Sequence, residues 1–152
     1  MNIFLRLLRL DFIPFSADLG LLTLRCWLGL SMLILHGWTK LGNFQQMSGK
    51  FGDPLGIGSK ASLGLAVFGE VVGSILLILG LFTRFAALSC LTTMGVAFFL
   101  VHKTVLKGPA SGELAFIYMA GFVALFIAGP GRFAVDSAST KPRREKSSGS
   151  KD

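Results

Sequence analysis

The stretch 61–82, ASLGLAVFGEVVGSILLILGLF, decides how this chain folds. Crossing a hydrocarbon core of about 30 Å takes about 20 apolar residues in a helix. This stretch meets that length and carries one charge, Glu70. A carboxylate held that deep costs at least about 2.5–3.5 kcal/mol on insertion scales. A chain that keeps it must supply a partner, a proton or a water-lined cavity.

Outward from this stretch, the windows 19–38, 85–101 and 112–128 have the same apolar character and predict three further spans. The chain is 52% hydrophobic and only 15% charged, which leaves too few polar residues to cover a soluble domain of 152 residues. The fold class expected is all-α, an integral membrane four-helix bundle. The connection 39–60 is long and rich in glycine, with Pro54. Thr83 and Arg84 leave room only for a tight hairpin, and Gly129-Pro130-Gly131 stops the fourth helix. The organisation predicted is an interfacial N-terminal segment over 1–17, one four-helix domain over 18–136 and a disordered basic tail over 137–152.

The net charge of +7 is distributed unevenly. With the N-terminus inside, Arg6, Arg9, Arg84, Arg132, Lys141, Arg143, Arg144, Lys146 and Lys151 share the inner face. Lys40, Lys50, Lys60, Lys103 and Lys107 share the outer one. Nine against five predicts that both termini are cytoplasmic. Such a basic tail points to anionic membrane lipid as a partner, not to nucleic acid. Arg6, Arg9, Asp11 and Pro14 interrupt the first apolar stretch, so a cleaved signal peptide is not expected, and 2–10 reads as a short amphipathic surface segment. Cys26 and Cys90 fall inside predicted helices without a Cys-x-x-Cys, which argues against a dithiol centre.

In the first span Arg25, Gly29, Met32, His36 and Lys40 recur at spacings of four, three, four and four, so they share one helix face. In the second, Ala66, Glu70, Gly73, Leu77 and Gly80 form a stripe of mostly small residues around the carboxylate. Small residues let helices approach closely. The two stripes are therefore expected to face each other, with Arg25 as the counter-ion of Glu70. Arg25, His36, Lys40 and Glu70 form the candidate polar intramembrane site, with His102 and Glu113 as secondary candidates. One reading makes these groups structural, with Lys40 snorkelling to the interface. The other makes them line a cavity for a small anion, a quinone head group or protons. Glu113 has a structural explanation, because Ser111 can cap the fourth helix and a carboxylate suits its first turn. Two histidines without paired spacing give no haem or metal site.

Arg25-x3-Gly29, His36-Gly37-x2-Lys40-Leu41-x2-Phe44, Glu70-x2-Gly73 and Gly80-Leu81-Phe82-Thr83-Arg84 with Ala86-Ala87 together resemble the DoxX family of small four-helix bacterial membrane proteins. Met94, Ala97 and His102, then Glu113 with Tyr118, then Gly129-Pro130-Gly131-Arg132-Phe133 with Asp136, continue the resemblance in order over about 18–136. The resemblance implies a multi-pass protein of the bacterial inner membrane. Some relatives are small subunits of thiosulfate:quinone oxidoreductase or are linked to a terminal quinol oxidase. Others look like membrane partners of thiol-stress enzymes, and distant ones act as receptor-assembly chaperones. The function expected is thus a membrane subunit tied to quinone or sulfur redox chemistry. It has no autonomous catalytic motif and no intrinsic cofactor, with quinone as the ligand to consider and a redox subunit or a second copy as partner. A membrane assembly or scaffold protein is the first alternative, and a small-solute carrier the second.

Overall fold

A computed structural model describes residues 3–10 and 16–139, and among them every regular element is helical. Four long helices run Ala17–Gly42, Ser59–Leu79, Thr83–Val101 and Glu113–Ala128. Short helices Ile3–Leu8, Phe44–Met47 and Val135–Ser139 flank or connect them. Helices one, two and three are long and apolar enough to cross a membrane. Helix four has 16 residues, about 24 Å at 1.5 Å per residue, and is the shortest of the four.

The sequence windows 85–101 and 112–128 are equally long, and the structure separates them. Helix three gains its first turn at Thr83, where Asp136 caps it from across the bundle. The Asp136 carboxylate accepts hydrogen bonds from the Phe82 and Thr83 amides and from the Thr83 hydroxyl, each at 2.8 Å. Burial pushes the Asp136 carboxyl up, but these bonds outweigh it and hold the group below its ordinary value of 3.8. Helix four is cut short by Gly112 at one end and by Gly129, with φ of +80°, at the other. Ser111 caps its start as expected, its hydroxyl accepting from the Glu113 amide at 3.1 Å.

Helix two is the central element. Half of its most apolar window is buried inside the protein, against 17% for helix one and 28% for helix three. Helix one reaches it through glycines. A Cβ on Gly29 would lie 2.6 Å from Ile78, and one on Gly37 would lie 2.8 Å from the Glu70 carbonyl. Helix three approaches the other side, where a Cβ on Gly73 would meet the Cys90 sulfur at 2.9 Å. The expected facing of stripes therefore holds for Gly29, Lys40, Glu70 and Leu77, whereas Gly73 belongs to the contact with helix three. Met32, Leu77, Ala86, Ala87, Cys90, Phe122 and Leu125 fill the centre of the bundle. Many other large apolar side chains, among them Trp27, Leu35, Phe85 and Ile127, face outward. That surface suits hydrocarbon as solvent.

At the end of the bundle where helix one starts and helix four stops, the segment after helix four folds back as a clip. The Asp136 amide donates to the Gly80 carbonyl at 3.0 Å, and the Arg132 amide donates to Asp18 at 2.8 Å. Arg25 lies fully buried beneath the clip and donates to the carbonyls of Leu77, at 3.2 Å, and Phe133, at 2.9 Å. The helix Val135–Ser139 carries regular structure past 137, where the basic tail was expected to begin. The rest of that tail, 140–152, lies outside the described residues.

Gly80 is the tightest point of the clip. Its φ is +70°, and a Cβ there would run into the Arg25 guanidinium and lie 2.6 Å from the Ala134 Cβ. Gly80→Ala is expected to cost about 1–3 kcal/mol through overpacking, with left-handed strain in addition. Gly64→Ala, in open space on helix two, is expected to leave stability unchanged or raise it by about 0.5–1 kcal/mol. Thermal midpoints from fluorescence-detected size exclusion in mild detergent compare the two, and equal midpoints would refute the packing argument.

Candidate functional site

Glu70 is 4% exposed, and its partner is Lys40. The Lys40 ammonium lies 2.6 Å from both carboxylate oxygens. The expected pairing of Glu70 with Arg25 is therefore corrected. Arg25 binds carbonyls at the clip, and one of these, Leu77, lies seven residues beyond Glu70, about 10 Å along the axis. Arg25 has a structural role because the backbone carbonyls at the end of helix two and in the return segment need a donor. Lys40 was expected to snorkel outward. The longer helix one carries it instead over the carboxylate, and its side chain stays 21% exposed.

Three π-helical turns, Leu33–Gly37, Phe68–Gly73 and Val96–Val101, interrupt helices one, two and three. The first contains His36, the second contains Glu70 and the third ends next to His102. Such turns concentrate at functional sites, and the extra residue in each rotates the side chains that follow. On helix one the rotation puts Gly37 against helix two and turns His36 toward helix four. There its ring meets Tyr118 edge-on, with centroids 5.8 Å apart. The His36 Nε2 is buried without a hydrogen bond. His36 thus adjoins the pair without joining its hydrogen bonds.

Beside the ion pair, helices two and three and the 43–58 connection enclose a cavity of about 590 Å³. Lys40, Glu70 and His102 line it together with a largely apolar wall that includes Leu65, Phe68, Leu88 and Val101. Those four apolar residues are between 42% and 55% exposed, so this side opens onto the surface that faces lipid. Phe51, Pro54 and Leu55 roof the cavity at the end away from the clip. Asp53 fixes the roof by accepting from the Ile57 and Gly58 amides, at 3.0 and 2.7 Å, and from the Ser62 hydroxyl at 2.6 Å. These bonds, the Ser62 one foremost, hold its carboxyl below the ordinary value.

The structure thus brings Lys40, Glu70 and His102 to one cavity, sets His36 behind it and leaves Arg25 at the clip. Glu113 is exposed at the start of helix four and does not line the cavity. Sequence reasoning missed Asp53, which ties down the roof, and Ser89, Thr92 and Thr93, which line the cavity. Their spacing of three and four places these hydroxyls on one helix face, which was the signal available. Thr92 and Thr93 donate to carbonyls of their own helix, at 2.9 and 3.0 Å, and keep acceptor capacity for a ligand. Among the described residues, no cluster of His, Cys, Asp and Glu could hold a metal ion.

The family model for DoxX matches residues 20–103, which include helices two and three, helix one but for its first three residues, the cavity and its ion pair. The chain belongs to the DoxX family. It is similar to an uncharacterized protein of Haemophilus influenzae, with 40% identity over 117 residues, covering 70% of this chain and 81% of that relative. No solved structure matches it. Membership agrees with the apolar helices in making this a multi-pass membrane protein.

The pairing generates a double-mutant cycle. Lys40→Leu leaves Glu70 buried and uncompensated, a loss of about 3–5 kcal/mol for comparable buried pairs. Glu70→Leu is expected to cost less, because the partly exposed Lys40 can swing to water. The double variant is expected to recover most of the stability lost in Lys40→Leu. Arg25→Leu combined with Glu70→Leu is expected to be additive, since these residues share no partner. Midpoints by size exclusion after heating read all the variants, and additivity for Lys40 with Glu70 would refute the pair.

Proposed function

We propose that this DoxX protein is a small subunit of the bacterial cytoplasmic membrane that binds a lipophilic quinone-type ring beside the Lys40–Glu70 pair. It would work next to a redox partner in quinone- or sulfur-linked electron transfer. The observation that carries this reading is a buried ion pair set in the wall of an apolar cavity open toward lipid. A volume of about 590 Å³ is in the range of small-molecule sites. A ligand that reaches the cavity from the bilayer must itself be lipophilic.

The residues fit such a ring. When bound, a quinone carries two electrons and two protons between its carbonyl and hydroxyl forms. Lys40 has three N–H donors and uses two on Glu70, so one remains for a carbonyl oxygen. Glu70 keeps lone pairs that can accept from a hydroxyl. The pair is thus complementary to either form and adds no net charge to a low-dielectric site. Phe51, Pro54 and Leu55 hold water off the ring. On this reading the electrons come from a partner subunit, in keeping with a sequence that has no CxxC or paired-His motif.

Purified protein in nanodiscs, titrated with decylubiquinone, is expected to bind it saturably at one site per chain. The Lys40→Leu, Glu70→Leu double variant is expected to weaken that binding at least about tenfold, the scale of a charge-assisted hydrogen bond. Partitioning without saturation would overturn the reading.

The nine-to-five split of basic residues supports cytoplasmic termini. Cysteines introduced at Lys50 and Lys107 are then expected to react with an impermeant reagent on intact cells, while one at Ser148 stays unlabelled. The opposite pattern would invert the topology.

A further inference from the structure

The cavity has a third polar group that the ion pair does not explain. His102 follows the π-helical turn Val96–Val101 and lines the same cavity as Lys40 and Glu70. Its Nδ1 lies 2.9 Å from the Ala110 carbonyl oxygen. A carbonyl can only accept, so Nδ1 carries the proton in this bond. In the neutral ring, Nε2 is then left with a lone pair and no proton. The ring is also fixed sterically. A Cβ on Gly112 would lie 2.8 Å from the His102 Cβ and 2.9 Å from Phe98. Only glycine at 112 lets the loop close against this side chain, and the closed loop supplies the carbonyl that sets the tautomer.

This arrangement differs chemically from the ion pair. Lys40 and Glu70 together can meet a carbonyl or a hydroxyl. Neutral His102 offers an acceptor alone at Nε2, which takes a hydrogen bond from a hydroxyl and has none to give a carbonyl. We propose that His102 is a specificity-determining residue that makes the cavity favour the hydroxyl-bearing, reduced form of its ring ligand over the carbonyl form. The proposal rests on the quinone-type reading above and deepens it. Binding couples to redox state by linkage, because tighter binding of the reduced form raises the potential of the bound couple.

Two substitutions separate this role from a structural one. In His102→Asn the side-chain amide can still donate to the Ala110 carbonyl, so the loop stays anchored, but no atom reaches the Nε2 position. In His102→Gln an amide oxygen returns near that position. The probes are decylubiquinone and decylubiquinol, titrated anaerobically into protein in nanodiscs. His102→Asn is expected to leave affinity for the quinone unchanged and to lower affinity for the quinol about tenfold, the scale of one hydrogen bond. The bound couple then falls by about 30 mV for a two-electron change. His102→Gln is expected to recover most of the ratio.

An unchanged ratio in His102→Asn, a parallel loss of both forms or an unrecovered ratio in His102→Gln overturns the assignment and leaves the quinone site standing. Failure of unaltered protein to bind either form saturably overturns both.

Discussion

A carboxylate on the most enclosed helix of an apolar bundle constrains everything around it. Glu70 is only 4% exposed, so the chain has to bring a cation to it. Lys40 does this from the last turns of helix one, which requires that helix to run on to Gly42. It also requires helices one and two to come within glycine distance, as Gly37 allows against the Glu70 carbonyl. The connection that follows must then turn back over the pair, and it does so with Asp53 tying down its own amides and Ser62. The cavity is what remains between that roof and helices two and three.

Arg25 solves a different problem with the same economy. Backbone carbonyls at a helix end need donors, and Arg25 beneath the clip is fully buried. One guanidinium serves the end of helix two and the return segment together. Asp136 does the reverse, supplying an acceptor for the amides that open helix three. A buried Arg and a distant Asp thus close one end of the bundle, and the opposite end is left free to hold a ligand.

The spans were legible in the sequence because hydropathy and length have few alternative readings for a chain this apolar. The Ser111 cap and the facing of Gly29 toward helix two were legible too, since both depend on spacing along a single helix. The partner of Glu70 was not. A stripe drawn at 3.6 residues per turn puts Arg25, His36 and Lys40 on one line and makes opposite charges look paired. Two facts invisible to periodicity decide otherwise. Backbone carbonyls can satisfy Arg25, and the π-helical turn at Leu33–Gly37 swings His36 toward Tyr118 while Gly37 takes the interface. The cavity was hidden for a similar reason, because it depends on where Phe51, Pro54 and Leu55 settle and that loop has no period to read.

The three π-helical turns bear on why the site lies where it does. A wide turn weakens the regular hydrogen-bond ladder and packs less well, so a bundle selected only for stability has little use for one. Here three neighbouring helices each carry one: the second and third turns line the cavity with Phe68, Glu70, Val96, Ala97 and Val101, and the first lies behind it. The clip is held by short contacts across chain segments far apart in sequence, such as Asp18 with Arg132 and Thr83 with Asp136. Bonds between distant chain segments are thus concentrated at one end, and the π-helical turns lie beyond it. That division is the one expected when a scaffold pre-organises polar groups for a ligand, because site geometry is best held by a packed support. A purely structural polar stripe would call for no such asymmetry.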